Sequence, residues 1–442
     1  MLRKRWWLIK RVLVYFPLFS VLLTFILLSR HWHVLMWLVN FPEPTTFSPR
    51  VIKYDFSSFG SPIKAGFSKQ DITPPRFSWV AGYYPPHPAF SIKDRLWVKS
   101  LALQDKNGNI VVIVSCDLIG LFPDEINKIS DEVRLVHRDK IFISTTHTHS
   151  GPDTLGLWGI PMTSGKNKRY MKLVRAAIAK SIDESVASLQ RSTIRFGQGE
   201  FRGYAHGREE NPADAEVFVI QVLVSSMPVT LVNYACHPDV VQGLQISKDF
   251  PNFLEQRLAR FIGGEVIFIP GAIGGVQPPE NLEGETYFVK KLGEDLADAI
   301  VRIMKSPIIP SFTDIKLKKI KIEAPFENKQ ELYFAVKTKM VPNFLSKNGL
   351  VSAEVGKIQI GPAEILTVPG ELFPKIWWQV KPKIHGNPKM IFGLTNGEFG
   401  YILLPEDVKS GKHKYHASMS VGPKFGEEIR GAMQGLAAPK MD

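Results

Sequence analysis

The chain has 442 residues, 44% of them hydrophobic and 22% charged, which excludes a disordered or collagen-like protein and indicates a globular one. Two cysteines, Cys116 and Cys236, are too few for a disulfide scaffold or a four-thiolate zinc site. Each lies in an apolar, strand-like run, where a buried free thiol is the commoner state. A single disulfide between them stays open if the chain is exported.

The net charge of +13 is concentrated near the N-terminus, where six basic residues precede the first acidic one, Glu43. The rest of the chain carries 49 basic against 42 acidic residues. A basic excess of this size suits an anionic membrane surface. No aromatic–basic repeat or other nucleic-acid motif is present, so we predict no nucleic-acid partner. The sequence does not indicate any protein partner.

The N-terminal region predicts a membrane anchor. A basic tail at 1–11 is followed by 18 uncharged residues at 12–29, and apolar composition resumes after a short polar interruption. A bilayer core needs about 20 apolar residues, and four flanking tryptophans suit its interfaces. The competing interpretation is a cleaved signal peptide, but no small-x-small cleavage site follows the apolar run. We therefore predict an uncleaved transmembrane signal anchor over 12–41.

This anchor sets the expected domain organisation. The basic tail at 1–11 indicates a cytoplasmic N-terminus and a single-pass protein. A proline-rich linker is predicted at 42–63, and a folded domain at 64–442. That domain would then be periplasmic or extracellular.

Residues 64–442 contain alternating strand and helix patterns at first and mainly strands later. No internal repeat or change in composition divides them. We predict a single large mixed α/β domain with β-sheets flanked by helices, preceded by the N-terminal transmembrane helix. In the first half of the domain, the predicted elements in chain order are strands at 96–104, 110–116 and from 141, a helix at 166–188, and strands at 193–197, 217–224 and 229–234. In the second half they are a helix at 252–261, a strand at 265–269, a helix at 287–304, strands at 314–323, 358–360 and 363–368, a helix after Gly370, and a strand at 390–394.

Four apolar runs end in a polar side chain beside glycine or proline. The residues concerned are His147 with His149, His237, Glu371 and Tyr401. Catalytic groups of α/β enzymes gather at the carboxyl ends of strands, and two histidines with a glutamate match the ligands of catalytic zinc. If the strand from 141 continues, its positions two apart face the same side, so we expect His147 and His149 to project together.

Taken singly, each of these residues is also compatible with a purely structural role. His237 could be a hydrogen-bonded core histidine, Glu371 a carboxylate at a helix N-terminus, and Tyr401 a core side chain. Other catalytic signatures are missing from the sequence, since it has no GxSxG, HExxH or Walker motif. Cys236 and His237 are adjacent and would face opposite sides of a strand, which argues against a thiol–imidazole pair.

Seven segments, in chain order, resemble motifs of the neutral/alkaline, non-lysosomal ceramidase family, whose catalytic domain is a zinc-dependent amidase. The most specific is Thr146-His-Thr-His-Ser-Gly-Pro152. The others are 71–75 with 82–83, 94–117, 233–238, 369–371, 400–401 and 415–423.

The resemblance implies a role for each matched residue. The ligands of a Zn²⁺ ion would be His147, His237, Glu371 and Tyr401. A tyrosine ligand is chemically reasonable because the charge of the ion lowers the pKa of the phenol. The catalytic residues would be His149 as acid/base or oxyanion-stabilising group, Arg208 as substrate-positioning group, and Tyr415 as hydrogen-bond donor to the scissile carbonyl. For Arg208 a surface salt bridge remains an alternative.

Two departures from the family matter. The family's loop reads Gly-Asp-x-Ser-Pro, with the serine assigned as nucleophile, whereas this chain has Gly274-Gly-Val-Gln-Pro278. An amide cannot replace an attacking hydroxyl, so we expect zinc-bound water to attack instead. The match also ends at Asp442 without the family's C-terminal immunoglobulin-like domain, so lipid access is expected to come from elsewhere, with the N-terminal anchor a candidate.

The resemblance thus implies an amide hydrolase that releases fatty acid from ceramide or a related N-acyl (sphingo)lipid, with the membrane bilayer as a partner of the N-terminal helix. Two alternatives stay open. One is a metal hydrolase acting on a non-lipid amide or ester. The other, motivated by Gln277, is a catalytically inactive lipid-binding relative.

Overall fold

The computed structural model describes residues 60–75, 77–160, 163–208, 213–279, 284–338, 340–341, 345–346 and 348–438. The predicted tail and anchor, and nearly all of the predicted linker, lie outside these ranges. Within them, no helix combines the length and apolar character that a membrane crossing requires.

Strands and helices account for most of the described chain. The strands are β1 Ser61–Asp71, β2 Ser78–Trp79, β3 Pro88–Ala89, β4 Ser91–Ile92, β5 Trp97–Gln104, β6 Ile110–Cys116, β7 Ile141–Thr145, β8 Gln190–Glu200, β9 His206–Gly207, β10 Glu216–Val224, β11 Met227–Tyr234, β12 Gln245–Ile246, β13 Glu265–Pro270, β14 Val276–Gln277, β15 Ile315–Pro325, β16 Leu350–Ile360, β17 Ala363–Thr367, β18 Glu371–Leu372, β19 Lys389–Phe392 and β20 Tyr401–Ile402. The α-helices are α1 Pro123–Glu132, α2 Lys168–Ala187, α3 Phe250–Ile262, α4 Glu285–Ile303, α5 Glu331–Lys337, α6 Pro374–Val380, α7 Pro405–Lys409, α8 Lys414–Ser418 and α9 Pro423–Ala437, with 3₁₀ turns at Arg138–Lys140 and Lys381–Lys383.

Two sheets pack face to face. The larger has eight strands in the order β13-β11-β10-β8-β1-β5-β6-β7, and the smaller has four in the order β15-β16-β17-β19. Alternation along a strand divides its side chains between two layers. In β11, Val229 and Leu231 join the core between the sheets, whereas Val232 and Tyr234 join the core under the helices.

Helices cover both outer faces. The longest, α2, packs with β5, β6 and β7, while α3 and α4 pack on β10, β11 and β13. On the far side, α6 and α9 cover the smaller sheet. The predicted mixed α/β domain with sheets flanked by helices is confirmed. Its first strand begins at Ser61, inside the segment predicted as linker.

Sheet twist brings distant strand ends together. From the pairing alone, β7 and β13 at the two edges of the larger sheet point in opposite directions. Strands twist by about 20–25° per pair, so seven pairs rotate one edge by roughly 140–175° and nearly restore a common direction. The sheet also curls, so that strands far apart in the strand order come into contact. Lys99 Nζ on β5 and Ser115 Oγ on β6 donate to the backbone oxygens of Val266 and Phe268 on β13, both at 2.6 Å.

The smaller sheet closes this arrangement at the strand ends. Gly393 N, just after β19, bonds Pro270 O at the end of β13 at 3.0 Å. Its neighbour Leu394 accepts from Thr145 N at the end of β7 at 3.3 Å and donates to Gly370 O at 3.2 Å. The carboxyl ends of β7, β13, β17 and β19 therefore meet at one place. Both cysteines, Cys116 and Cys236, are buried and free.

Candidate active site

His147 lies beyond the end of β7, not within it. The strand ends at Thr145, and His147 has a left-handed backbone with φ of 64°. The prediction that His147 and His149 project from one face of a strand is therefore wrong, yet their rings do meet, with centroids 4.9 Å apart. Nδ1 of His147 donates to Ile119 O at 2.7 Å, which leaves Nε2 as the lone-pair nitrogen facing the site.

His237, three residues beyond the end of β11, is fixed in the same way. Its Nδ1 donates to the carbonyl of Val276, and its Nε2 lies 2.9 Å from Oε2 of Glu371. The other carboxylate oxygen, Oε1, is 3.5 Å from Nε2 of His147. The His147 and His237 rings are 5.0 Å apart between centroids. The predicted histidines and glutamate thus converge, with the carboxylate bridging the two imidazoles.

Tyr401 joins this group through a short strand pair. Glu371 and Tyr401 face each other in the parallel pairing of β18 with β20, and their side chains share a hydrogen bond. Tyr401 is buried, whereas Tyr415 is 50% exposed and its ring lies 6.0 Å from that of Tyr401. Tyr415 therefore lies at the rim of the cluster, where a ligand entering from solvent would meet it.

His149 presents a buried nitrogen toward the cluster. Its backbone N bonds Pro238 O at 3.0 Å, and its ring makes a backbone hydrogen bond to Gly82. A Cβ on Gly82, which has φ of 92°, would lie 2.3 Å from Nδ1, so only glycine allows this approach. Among the described residues, Nε2 of His149 has no hydrogen-bond partner.

The three histidines could bind a metal ion. One ring nitrogen from each of His147, His149 and His237 lies within 4.8 Å of the other two. Buried polar atoms are normally paired, so an inaccessible, unpartnered imidazole nitrogen in such a cluster indicates a missing ligand. Neutral imidazole nitrogen is a common ligand of zinc and of other transition metals.

Burial sets the protonation state of the cluster. It lowers the pKa of His147 to about 4, and it also lowers those of His149 and His237, so all three are neutral at pH 7 with a free lone pair. It raises the pKa of Glu371. The pKa of Tyr401 is raised by burial and by the charge of Glu371, and a cation in the cluster would reverse this direction.

Arg208 lies beside the cluster and is held on two sides. It follows β9, which pairs with β14, and its Nε donates to Oε1 of Gln277. Its terminal nitrogen is 3.5 Å from Oδ2 of the half-buried Asp239. Its charge also contributes to lowering the pKa of His237, after the larger effect of burial. Arg208 is thus held beside the cluster by an ion pair with Asp239 and a hydrogen bond to Gln277, and its role in binding substrate stays a prediction.

Sequence reasoning missed three residues of this neighbourhood. Asp239 follows His237 by two positions, and the Tyr83 hydroxyl donates to its backbone oxygen at 2.9 Å. The Tyr83 ring is 5.7 Å from that of His149. His416 is buried with its ring 4.6 Å from Tyr401. The available signal for Asp239 was its nearness to His237, and for Tyr83 and His416 it was their position inside the matched segments 82–83 and 415–423.

The structure is similar to those of ceramidases. Neutral ceramidase from Pseudomonas aeruginosa superimposes with a TM-score of 0.72 over 85% of this chain and 74% of that one, at 15% identity. A ceramidase complexed with C2 gives a TM-score of 0.69 over 85% and 75% of the two chains, also at 15% identity. The chain therefore has the fold of the neutral ceramidases, which confirms the resemblance at the level of the fold. No protein-family model matches the chain, and no curated protein matches it in sequence.

Proposed function

We propose that this protein is a zinc-dependent amide hydrolase that releases fatty acid from ceramide or a related N-acyl (sphingo)lipid. The observation that carries the proposal is the convergence of His147, His237 and Glu371 near a buried nitrogen of His149 that has no partner within the described part of the chain. The substrate class comes from the two structural neighbours, which are both named as ceramidases.

The donor set fits zinc. Two neutral imidazoles and a carboxylate are zinc ligands, and backbone carbonyls of Ile119 and Val276 fix the ring orientations of His147 and His237. We assign His147, His237, Glu371 and Tyr401 to hold the ion. When bound, zinc would lower the pKa of water and polarise a carbonyl.

The remaining residues then have distinct tasks. His149, neutral at pH 7, accepts a proton as water attacks the amide and returns it to the departing amine. Arg208 binds a polar group of the substrate, and the hydroxyl of Tyr415 donates to the scissile carbonyl. Gln277 has no nucleophilic hydroxyl and supports Arg208, so water is the attacking group.

One observation favours a second candidate, an inactive lipid-binding relative. The position matched to the family's serine carries Gln277, whose amide already accepts a hydrogen bond from Arg208. Such a protein would bind metal and lipid without turnover. The intact set of metal-binding side chains favours the hydrolase.

Hydrolysis by the purified full chain, loaded with zinc, tests the proposal. Fatty acid released from ceramide is measured by mass spectrometry, beside a non-lipid N-acyl amide and an ester. His147→Ala should abolish release, whereas His137→Ala, at a side chain that is 73% exposed, should leave it unchanged. Zinc binding without release from any substrate would favour the inactive relative. Release only from the non-lipid compounds would identify a different hydrolase.

We also propose that residues 12–41 anchor the protein in a membrane, with residues 64–442 periplasmic or extracellular. The basis is the uncharged run flanked by basic residues and tryptophan. Protease added to intact cells, or to spheroplasts where an outer membrane is present, should then degrade the domain, and alkaline carbonate should fail to extract the chain. Extraction by carbonate would contradict the anchor.

A further inference from the structure

A second surface carries exposed apolar side chains. Residues 77–92 contain no Asp, Glu, Lys or Arg. Within this segment Phe77 is 51% exposed, Phe90 62% and Ile92 44%, and Leu244 from a neighbouring loop is 39% exposed. With the half-buried Trp79, these residues form what we call the aromatic patch. Clustered large apolar side chains at the surface mark interaction sites.

The aromatic patch is held in place by its backbone. The Phe77 ring lies 6.0 Å from that of Trp79 and 6.0 Å from that of Phe90. Strands β2 and β3 pair beneath them, and Phe90 N bonds Leu244 O at 2.9 Å. The next residues of both segments pair as β4 with β12, and Ile92 lies two positions after Phe90, on the same side of an extended chain. The exposure therefore belongs to an ordered surface.

The same segment reaches into the active site. Gly82 and Tyr83, which lie in sequence between Trp79 and Phe90 of the aromatic patch, contact His149. Asp153 N bonds Trp79 O at 2.8 Å, and Ala81 N bonds Gly151 O at 3.0 Å, which ties the patch to the loop that follows His149. The aromatic patch and the histidines of the candidate site therefore belong to one hydrogen-bonded loop assembly.

We propose that the aromatic patch docks on the surface of a lipid bilayer, with Phe77, Phe90 and Leu244 entering the interfacial region. Residues 77–92 contain no carboxylate, their aromatic and aliphatic side chains suit this region, and Trp79 suits its polar boundary. Arg95, three residues beyond the patch, is ion-paired with Asp71, and its side chain, 68% exposed, stays accessible to anionic headgroups. This contact is separate from the predicted anchor and goes beyond amide hydrolysis. Only its purpose, presenting bilayer lipid to the site, rests on the proposed function.

The chain before the described domain is long enough to permit this contact. An extended chain covers roughly 3.3–3.6 Å per residue, so residues 42–59 reach roughly 60 Å. The eleven residues of β1 span only roughly 36 Å at about 3.3 Å each. An anchor at 12–41 therefore does not by itself fix which end of the domain faces the bilayer, and a second contact would select one.

Site-specific fluorescence in the full chain tests this proposal without measuring hydrolysis. Cys116 and Cys236 are buried, so an environment-sensitive label attaches to a single introduced cysteine. Phe90→Cys and Leu244→Cys report on the patch. Leu173→Cys is the matched control, because Leu173 is an apolar residue 45% exposed on α2, outside the patch. Each labelled protein is reconstituted with phosphatidylcholine–phosphatidylglycerol vesicles, with or without spin-labelled quencher lipid.

We expect blue-shifted emission and at least about two-fold quenching at positions 90 and 244, with neither at position 173. Equal quenching at all three positions, or none at 90 and 244, would overturn the proposal. Because the readout is lipid proximity, it is independent of turnover. A protein that docks but does not hydrolyse ceramide would contradict only the proposed function.

Discussion

Two buried polar clusters in this protein differ in whether their polar groups are paired within the protein. The candidate active site brings together three histidines, Glu371 and Tyr401. The second, which we call the ion cluster, joins Lys99, Lys248, Glu255 and Asp117 behind the larger sheet. In the ion cluster Lys99 Nζ is 2.9 Å from Glu255 and also bonds Val266 O, so its charges are paired within the protein.

The candidate active site, by contrast, is incomplete on its own. Among the described residues, Nε2 of His149 and Oγ1 of the neighbouring Thr146 are buried without hydrogen-bond partners, and so is Oε2 of Glu398, whose pKa is raised by burial and by the charge of the nearby Glu371. Burial opposes the charge of Lys248, but Glu255 and Asp117 raise its pKa above the ordinary value, so it stays charged. The site histidines have lowered pKa values and stay neutral. A buried cluster whose polar groups are all paired within the protein stabilises the fold, whereas a cluster with unpaired polar groups requires a ligand.

The largest expected effect is loss of the metal. His237→Ala removes a donor nitrogen that a neighbouring backbone carbonyl holds in place, and should lower ceramide hydrolysis about 1000-fold or more, because Lewis-acid stabilisation supplies several kcal/mol. Zinc content measured by mass spectrometry should fall with it. Activity that survives in zinc-free protein would remove the distinction between the two clusters.

His149→Ala separates chemistry from metal binding. Zinc should be retained, while kcat falls about 100- to 10,000-fold, the range of general acid–base catalysis. The comparison is with His147→Ala, which should lose both. If the two variants lose zinc alike, the three-histidine set, with ring nitrogens within 4.8 Å, is the metal site and His149 is a ligand.

The ion cluster should respond in stability alone. Lys99→Met leaves the Glu255 and Asp117 carboxylates short of a cation and should lower the free energy of unfolding by about 3–5 kcal/mol, measured by urea denaturation. The matched control is Lys106→Met, at a side chain that is 77% exposed. Zinc stoichiometry of folded Lys99→Met should equal that of the wild type. Loss of zinc would show that the two clusters are coupled.

The smallest effect is expected at Gln277. Gln277→Ala removes one hydrogen bond to Arg208, worth about 1 kcal/mol, so KM should rise about 3- to 10-fold with kcat nearly unchanged. Steady-state kinetics separates the two constants. A fall in kcat comparable to that of His149→Ala would give Gln277 a direct part in the reaction.

Local sequence patterns predicted much of the fold. The bounds of β6 match the prediction, and the apolar runs ending in His237 and Glu371 lead into the site. Strand β1 was missed because its residues are largely polar or small, although it is central in the larger sheet. Gly66 of β1 gives the reason, because a Cβ there would lie 2.1 Å from Ser185 O of α2. The strand is buried by close backbone packing against α2 and not by large apolar side chains, which are the signal that a sequence pattern contains.

The sequence motifs predicted which residues lie close together, but not how their side chains are arranged. The order of motifs identified His147, His237, Glu371 and Tyr401, whereas the strand argument for His147 and His149 failed at the left-handed turn. The meeting of β7 with β13 depends on twist summed over seven strand pairs, which no local pattern contains. The support of Arg208 by Gln277 joins two loops distant in sequence and is equally invisible there.

A calorimetric titration of the metal-free full chain with zinc is the most direct test of the metal site. We expect one high-affinity zinc ion per chain, released by a chelator, and no such binding after His147→Ala together with His237→Ala. His137→Ala should bind as the wild type does. Failure of the wild type to bind zinc, or unchanged binding by the double variant, would contradict the claim that these histidines form a metal site.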